Sequence, residues 1–410
     1  MGLKNKLISS ILLVDVIIFS SFFSAGAIFE KETALEKFYS SEQKLICISH
    51  RGDTEFYPEN PLEGEKSALK KGAYFVAVNI EKTADGVYFL CEDESLGNVC
   101  NAPYESLSQM NAAEAEKYKL YDVYGKETEY KLTSLERLLE KTDSEDGLIL
   151  DVKPEYKDGV YSVLSKHGAL DRVILRVKES SSELVEWAQS KEEKVYVIAV
   201  YSGNIIFSTI SSVKNMTMAE MPAVQYQSKN YFNVAYGDFF ANRYLISENV
   251  RAVAVTYSPD LCGQRGDSSD GWNELIKKGY SVIETNNIEA FNEYRKETER
   301  LEKAIKELYE KSLAIESDKF SQVSLDNLRK AKAECEALLS GEAFSLDEAQ
   351  KAYSDLLFAL EDMKISTGEV DTRGALNITA GKIIATVLVG AVLLAGQIFV
   401  YKMRRNNKEK

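Results

Sequence analysis

Histidine is scarce in this sequence, which has only His50 and His167 among its 410 residues. His167 stands between Lys166 and Gly168, where a helix is expected to end and where the helix dipole favours a cation. It is therefore interpreted as a helix-capping residue, which leaves His50 for chemistry. The histidine count alone argues against a mechanism that needs two imidazoles.

Positive charge is also in deficit, with 50 Lys and Arg against 64 Asp and Glu and a net charge of -14. A nucleic-acid partner is not expected, because binding phosphate backbones requires a basic face. The five cysteines are odd in number and irregularly spaced, so they predict no disulfide framework. A pair between Cys91 and Cys100 stays open. The sequence has no Cys-x-x-Cys or His-rich cluster that would indicate zinc.

The N-terminal segment, residues 1–27, is predicted to be a secretory signal peptide or an N-terminal anchor. Lysines precede an apolar run from Leu7 to Phe29, and Ala25-Gly26-Ala27 forms an A-x-A cleavage site. Asp15 favours the signal peptide, because a carboxylate near the centre of a bilayer costs about 2.5–3.5 kcal/mol. Either interpretation places the following region outside the cell.

The C-terminal segment is predicted to anchor the protein in the membrane. Residues 383–401 are apolar apart from Gln397 and long enough to cross a bilayer. The basic tail at residues 402–410 marks the cytoplasmic side, so the protein is expected in the cell membrane with a single span. A linker is predicted at residues 365–382. The sequence has no Leu-Pro-x-Thr-Gly motif, which favours permanent anchoring over sortase transfer.

The most informative stretch runs from Leu45 to Asn101. Its pattern reads as a short apolar strand, a polar turn, a helix, a strand, a glycine turn and another strand. Charged residues stand where the strands end, which is where an α/β barrel keeps its chemistry. The motifs in this stretch are His50-Arg51-Gly52, Pro58-Glu59-Asn60, Thr83-Ala84-Asp85-Gly86, and Asp93 with Leu96.

This order of motifs resembles the glycerophosphodiester phosphodiesterase family, whose spacing it reproduces. The resemblance covers about Leu45 to Tyr294 and implies an α/β fold, a TIM (β/α)8-type barrel over residues 44–294. It also implies phosphoric diester hydrolase chemistry, with two histidines as acid and base and a carboxylate-bound divalent cation. The segment 147–153 corresponds to the family's fourth strand. The next four are predicted at 173–177, 195–201, 251–257 and 280–285, while the elements of 217–249 could not be placed.

The chain departs from the family at the reactive positions. The family's Glu-x-Asp metal pair is replaced by Ala77-Val78-Asn79, and its second histidine by Glu92. Asp151 keeps a carboxylate where the family has Glu, so it is the remaining metal candidate, and a weak one. Hard cations need anionic oxygens, so no cofactor is expected, with Ca²⁺ or Mg²⁺ only if the enzyme is active. Changing Ala77→Glu, Asn79→Asp and Glu92→His together is expected to restore a cation site.

The remaining candidate site residues follow from the same resemblance. His50 and Arg51 are the candidate catalytic residues, and Arg51, Glu59 and Lys153 the candidate binding residues. Arg51 and Lys153 could hold an anion, or could instead be left in an ion pair with Asp151. Catalytic use of Glu92, or metal binding by Glu92 with Asp93, is a further alternative. The tripeptide Arg265-Gly266-Asp267 is interpreted as part of a loop rather than as an integrin-type motif.

Residues 297–364 change to a Glu-, Lys-, Ala- and Leu-rich composition with helical period. Three amphipathic helices are predicted, the third opened by a capping box at Ser345-Leu346-Asp347-Glu348. Phe320-Ser321 and Ser324 add a resemblance to FIVAR-type modules of bacterial surface proteins. Such a module is expected to bind a cell-surface protein or glycan. The alternative is a helical stalk.

Together these features predict a membrane-anchored extracellular protein with an eroded active site. It is expected to bind a small phosphodiester, a teichoic-acid-like polymer or another cell-surface ligand as a pseudoenzyme. The alternative is an active phosphoric diester hydrolase that releases glycerol phosphate through an atypical site. A purely structural spacer is the third interpretation.

Overall fold

The computed structural model describes residues 33–40, 43–92, 96–179, 181–202, 223–227, 245, 250–258, 265–315, 320–341 and 343–363. The chain divides into two compact units between Asn292 and Glu293. The signal peptide, linker, membrane span and basic tail predicted at 1–27, 365–382, 383–401 and 402–410 lie outside the described residues. Among the residues that the structure describes, no helix is both long enough and apolar enough to cross a bilayer.

The first unit alternates strands and helices. Its helices are α1 (Ala34–Tyr39), α2 (Leu62–Lys70), α3 (Leu96–Val99), α4 (Ala112–Ala115), α5 (Leu135–Lys141), α6 (Lys157–Lys166), α7 (Ser181–Gln189) and α8 (Ser269–Lys277). Its strands are β1 (Ile46–His50), β2 (Phe75–Lys82), β3 (Tyr88–Leu90), β4 (Lys119–Tyr121), β5 (Glu127–Lys131), β6 (Thr133–Ser134), β7 (Gly147–Val152), β8 (Val173–Val177), β9 (Tyr196–Ser202), β10 (Ala223–Gln227), β11 (Arg251–Val255) and β12 (Val282–Thr285).

Eight of the described strands are parallel and pair in a ring that closes on itself. The order is β1, β2, β7, β8, β9, β10, β11 and β12, and β12 returns to β1. The eight strands follow one another around the ring in chain order, with β3–β6 outside it, and this is the topology of a TIM barrel. The predicted α/β barrel architecture is thus confirmed.

One strand assignment made from the sequence needs correction, and one strand had been left unplaced. Strand β3 pairs antiparallel with the far end of β2, outside the ring, so β7 is the third barrel strand rather than the fourth. The missing strand is β10, which lies within the segment 217–249 that the sequence left unplaced.

The barrel interior is layered because alternate residues of a strand face the same side. A buried apolar layer includes Ile48, Ala77, Ile149, Ile174, Ala223 and Val282. Two residues further along the same six strands, towards their carboxyl ends, stand His50, Asn79, Asp151, Arg176, Gln225 and Glu284. The chain therefore forms an apolar floor under a polar layer.

The segment between β2 and β7 packs a small apolar core of its own, which contains Cys91 and Cys100. Cys91 and Cys100 are both buried, as are Cys47 and Cys335, and none of these four cysteines is in a disulfide. The disulfide between Cys91 and Cys100 that the sequence left open is not formed.

The helices towards the C-terminus are α9 (Ile288–Leu313), which runs across the division between the units, α10 (Gln322–Ser340) and α11 (Leu346–Glu361). The Leu346 amide donates to the Tyr294 hydroxyl at 2.9 Å, and Ser324 Oγ donates to the Asp362 carbonyl at 3.1 Å. The Ser345 amide donates to Glu348 Oε2 at 2.9 Å, as the predicted capping box requires. Three packed helices are present, while the FIVAR assignment stays a prediction.

We expect residues 297–364 to fold by themselves as a helical bundle. Their apolar side chains face one another, and Ile305, Cys335 and Leu356 are fully buried. Circular dichroism of the excised segment should show a helical spectrum that is lost cooperatively on heating. A random-coil spectrum at 20 °C would contradict the expectation.

Candidate active site

The turn after β1 is held in an unusual backbone conformation. Arg51 and Asn60 have φ values of 56° and 62°, in the left-handed region that side chains other than glycine rarely adopt. The Arg51 amide donates to the Ala77 carbonyl at 2.8 Å, and the Asn60 amide donates to the Arg51 carbonyl at 3.1 Å. Such a conformation costs on the order of 1–3 kcal/mol and persists where the surroundings enforce it. Here it brings the loop that carries Glu59 against Arg51.

His50 is buried at the end of β1 between an acidic and an aromatic side chain. Its Nδ1 lies 2.9 Å from Glu284 Oε1. Its ring stacks on Tyr257, with centroids 3.4 Å apart and planes 13° from parallel. Since Nδ1 is held by the carboxylate, Nε2 is the nitrogen left for proton exchange. The arrangement fixes both the tautomer and the orientation of the ring.

Arg51 is bound by two carboxylates. Its Nη1 donates to Glu59 Oε2 at 2.7 Å, and Nη1 and Nη2 together form a bidentate pair with Glu92. Its Nε donates to Asn79 Oδ1 at 3.1 Å. Burial alone would lower the pKa of Arg51, but the charge of Glu59 and the hydrogen bonds with Glu92 raise it above its ordinary value. Arg51 therefore stays a permanent cation.

Asp151 is paired with a residue that the sequence did not single out. Its two oxygens accept from Arg176 Nε and Nη2, each at 2.6 Å. Arg176 also donates to Gln225 Oε1 at 2.6 Å, to Glu284 Oε1 at 3.2 Å and, more closely, to Glu284 Oε2. The alternative in which Asp151 pairs with Arg51 or Lys153 is therefore wrong. Lys153 forms an ion pair with Glu81 instead, with its Nζ 2.7 Å from Glu81 Oε1.

Glu284 is completely buried between His50 and Arg176. Burial alone would raise its pKa, but the charge of Arg176 and the contact with His50 more than offset that effect and lower the pKa to about 2. Glu284 is therefore ionised at neutral pH. It couples the imidazole of His50 to the guanidinium of Arg176.

The donor set does not fit a divalent cation. Ala77 lies in the apolar floor and offers no ligand atom, and the oxygen of Asn79 accepts from Arg51. Both oxygens of Asp151 face Arg176. In the described part of the chain, no three His, Cys, Asp or Glu side chains are grouped as a metal site would need. Asp93, the other proposed ligand, lies outside the described residues.

Two further residues singled out from the sequence lie away from this cluster. His167 is the C-cap of α6, and its Nε2 is 3.5 Å from Glu136 Oε1, which fits the capping interpretation. In Arg265-Gly266-Asp267, the Asp267 carboxylate accepts from the Thr256 hydroxyl at 2.8 Å, from the Thr285 hydroxyl and from the Asn286 amide at 3.2 Å. Its carboxylate therefore serves the protein interior rather than an external receptor.

Sequence reasoning missed Arg176, Gln225, Tyr257 and Glu284. Arg176 interrupts the apolar run Val173–Val177, and Glu284 interrupts Val282–Thr285. Because side chains alternate between the two faces of a strand, a charged residue inside a short apolar strand indicates a polar position in the barrel interior. Gln225 gave no such signal, because its strand was not recognised.

Comparisons with known proteins agree with the order of motifs. The profile of the glycerophosphoryl diester phosphodiesterase family matches residues 50–234. Human glycerophosphodiester phosphodiesterase 1 is 32% identical over 77 residues, which are 17% of this chain and 23% of the relative. This chain thus matches about a quarter of the length of that relative. The glycerophosphodiester phosphodiesterase of Bacillus subtilis (strain 168) is 22% identical over 278 residues, 62% of this chain and 88% of the relative.

A solved structure supports the fold. The glycerophosphoryl diester phosphodiesterase from Parabacteroides distasonis superposes with a TM-score of 0.54 at 18% sequence identity. The match covers 63% of this chain and 90% of that one. At this identity the similarity establishes the barrel and leaves the chemistry to be argued from the side chains.

Proposed function

We propose, from the premise that residues 50–234 form a domain of the glycerophosphoryl diester phosphodiesterase family, that this barrel binds a phosphodiester without hydrolysing it efficiently. The observation that carries the proposal is the state of Glu92. It occupies the position of the second catalytic histidine and is held in a bidentate pair by Arg51. Because both of its carboxylate oxygens accept hydrogen bonds from Arg51, Glu92 is not placed to donate a proton to a leaving alcohol, and general-acid catalysis at this position is missing.

Arg51 is the proposed anion-binding residue, because its planar fork suits two phosphate oxygens. A ligand anion must displace Glu59 or Glu92, whose side chains are 43% and 38% exposed and so can move into solvent. The displaced carboxylate then needs a new partner. A diester with a cationic alcohol supplies one, so glycerophosphocholine should bind more tightly than glycerophosphoglycerol or a teichoic-acid-like polyanion. Lys153, which is paired with Glu81, is proposed as a second cation for the ligand.

An active hydrolase is the second candidate, and the His50–Glu284 pair favours it. A carboxylate on Nδ1 orients the imidazole and stabilises the imidazolium that forms when Nε2 takes a proton. His50 is then the general base, or the group that activates a substrate hydroxyl. The reaction would lack a matched acid, which makes it slow by about 10²–10⁴.

Calorimetry and a hydrolysis assay on the full chain separate the two candidates. We expect glycerophosphocholine to bind wild type and to bind Arg51→Ala at least tenfold more weakly, since a hydrogen-bonded charge pair contributes about 1.5–3 kcal/mol. Arg265→Ala is the control, because Arg265 is an exposed loop arginine paired with Glu274. Release of glycerol phosphate that is abolished by His50→Gln would instead establish the hydrolase. Absence of both binding and turnover would reject both candidates.

The cellular setting is likewise a proposal, supported by the composition of the two chain ends. A cleaved signal or anchor at the N-terminus and a single C-terminal span would place the barrel outside the cell and the basic tail in the cytoplasm. The helices of the second unit follow the barrel along the chain, and we propose that they bind a cell-surface protein or glycan.

A further inference from the structure

The Arg176 guanidinium occupies the centre of the polar layer. Through it, β8 is linked to Asp151 on β7, Gln225 on β10 and Glu284 on β12. Arg176 and Glu284 are buried, and the Asp151 side chain is 26% exposed. Four strands of the ring are therefore joined through one cation.

We propose that Arg176 is a built-in cation that takes the place of a divalent ion in this barrel, so that the site is assembled without metal. Two carboxylates, from β7 and β12, and an amide oxygen from β10 surround its guanidinium. Converging anionic oxygens with a neutral oxygen beside them are the ligands that Ca²⁺ and Mg²⁺ prefer. In this barrel the Arg176 guanidinium neutralises the charge of the two carboxylates.

A guanidinium in place of a divalent ion also changes whether the cation can leave the site. A divalent ion can leave or be removed by a chelator, whereas a guanidinium is covalently attached to the chain. Burial would lower the pKa of Arg176, but the charges of Asp151 and Glu284 raise it well above its ordinary value, so the cation is permanent. The polar layer should therefore keep its charge balance in the presence of a chelator.

If Arg176 replaces the ion, restoring the missing ligands should not by itself restore a cation site. Ala77→Glu and Asn79→Asp add carboxylates to a site whose central position is already filled by a cation. A divalent ion would have to displace Arg176 from two ion pairs. The site should accept an ion only when Arg176 is removed.

The test measures cation binding on the full chain by calorimetry and by thermal unfolding, with Ca²⁺ and Mg²⁺ as the probes. Wild type should show no binding and no change in midpoint with EDTA or either ion. Arg176→Ala should bind one ion. Its midpoint should rise by about 3–6 °C at an ion concentration ten times the dissociation constant. Arg176→Lys, which keeps a cation, is the matched control and should not respond.

The double variant Arg176→Ala/Asp151→Asn should lose the response, because one of the two carboxylates is gone. An Arg176→Ala variant that folds and ignores both ions would overturn the proposal and make Arg176 a plain structural ion pair. If that variant does not fold, the wild type decides. A wild-type midpoint that falls with EDTA or rises with either ion would overturn the proposal, and an unchanged midpoint supports it. None of these readouts depends on phosphodiester binding, so the outcome is separate from that of the proposed function.

Discussion

Arg176→Met should destabilise the barrel by about 3–5 kcal/mol at pH 7, the cost of leaving buried carboxylates without their counter-charge. The methionine fills similar space, so the loss reports charge rather than a cavity. Asp151 and Glu284 would lose their ion pairs with Arg176, although Glu284 keeps His50. Chemical denaturation of both proteins at pH 7 measures the difference.

The pH dependence of the destabilisation by Arg176→Met is a second test of the charge argument. In the wild type, the lowered pKa of Glu284 means that its contribution is complete above the unfolded-state value of about 4.3 and is lost as the pH falls towards about 2. Without Arg176, only the contact with His50 opposes the effect of burial, so the Glu284 carboxylate takes up a proton more readily. The variant should therefore recover towards the wild type as the pH falls from 7 to 4.

Arg172 provides a matched control. It is also a buried arginine, but its hydrogen bonds go to neutral oxygens rather than to carboxylates. Its guanidinium donates to the Thr142 hydroxyl at 2.8 Å and to the Leu139 carbonyl at 2.9 Å. Arg172→Met should cost about 1–3 kcal/mol with no recovery at low pH. Equal losses with equal pH dependence in the two variants would contradict the charge argument.

Glu65→Met should stabilise the protein by about 1–3 kcal/mol at pH 7.5, the penalty for a buried polar group without a partner. Glu65 stands in the first turn of α2 and is completely buried. Among the residues that the structure describes, neither of its carboxylate oxygens has a hydrogen-bond partner. Burial raises its pKa well above the ordinary value, and the charge of Glu59 raises it further. The methionine removes both the ionisable group and the unsatisfied oxygens.

The direction in which stability changes with pH follows from proton binding by Glu65. Above about pH 4.3 the unfolded chain releases the Glu65 proton while the folded chain keeps it, so wild-type stability falls as the pH rises. The slope attributable to this group approaches about 1.36 kcal/mol per pH unit until its folded pKa is reached. Denaturant midpoints between pH 4 and 8 should diverge with pH for wild type and Glu65→Met. Exposed Glu63 supplies the control, since Glu63→Gln should leave the slope unchanged. A gap that is constant with pH would show that Glu65 does not titrate in this way.

The sequence by itself determined the barrel and the place of its chemistry. The short apolar strands and the spacing of His50, Glu59 and Asp85 depend on local backbone periodicity and turn chemistry, which neighbouring residues set. The loss of ligands at Ala77 and Asn79 was equally readable, because a residue's donor atoms are fixed by its identity. The position of Asp151 at a strand end also followed from the pattern.

The partner of each charge was decided by the tertiary structure. Arg176 and Glu284 are 108 residues apart, and nothing local brings them together. Only the closure of the ring, which places β8 and β12 across one interior, turns two isolated charged residues into an ion pair. Likewise, Glu92 pairs with Arg51 across 41 residues, so the carboxylate at the position of the family's second histidine occupies the candidate anion-binding residue. Ion-pair energy depends on distance and burial in space, and these quantities exist only once the barrel has closed.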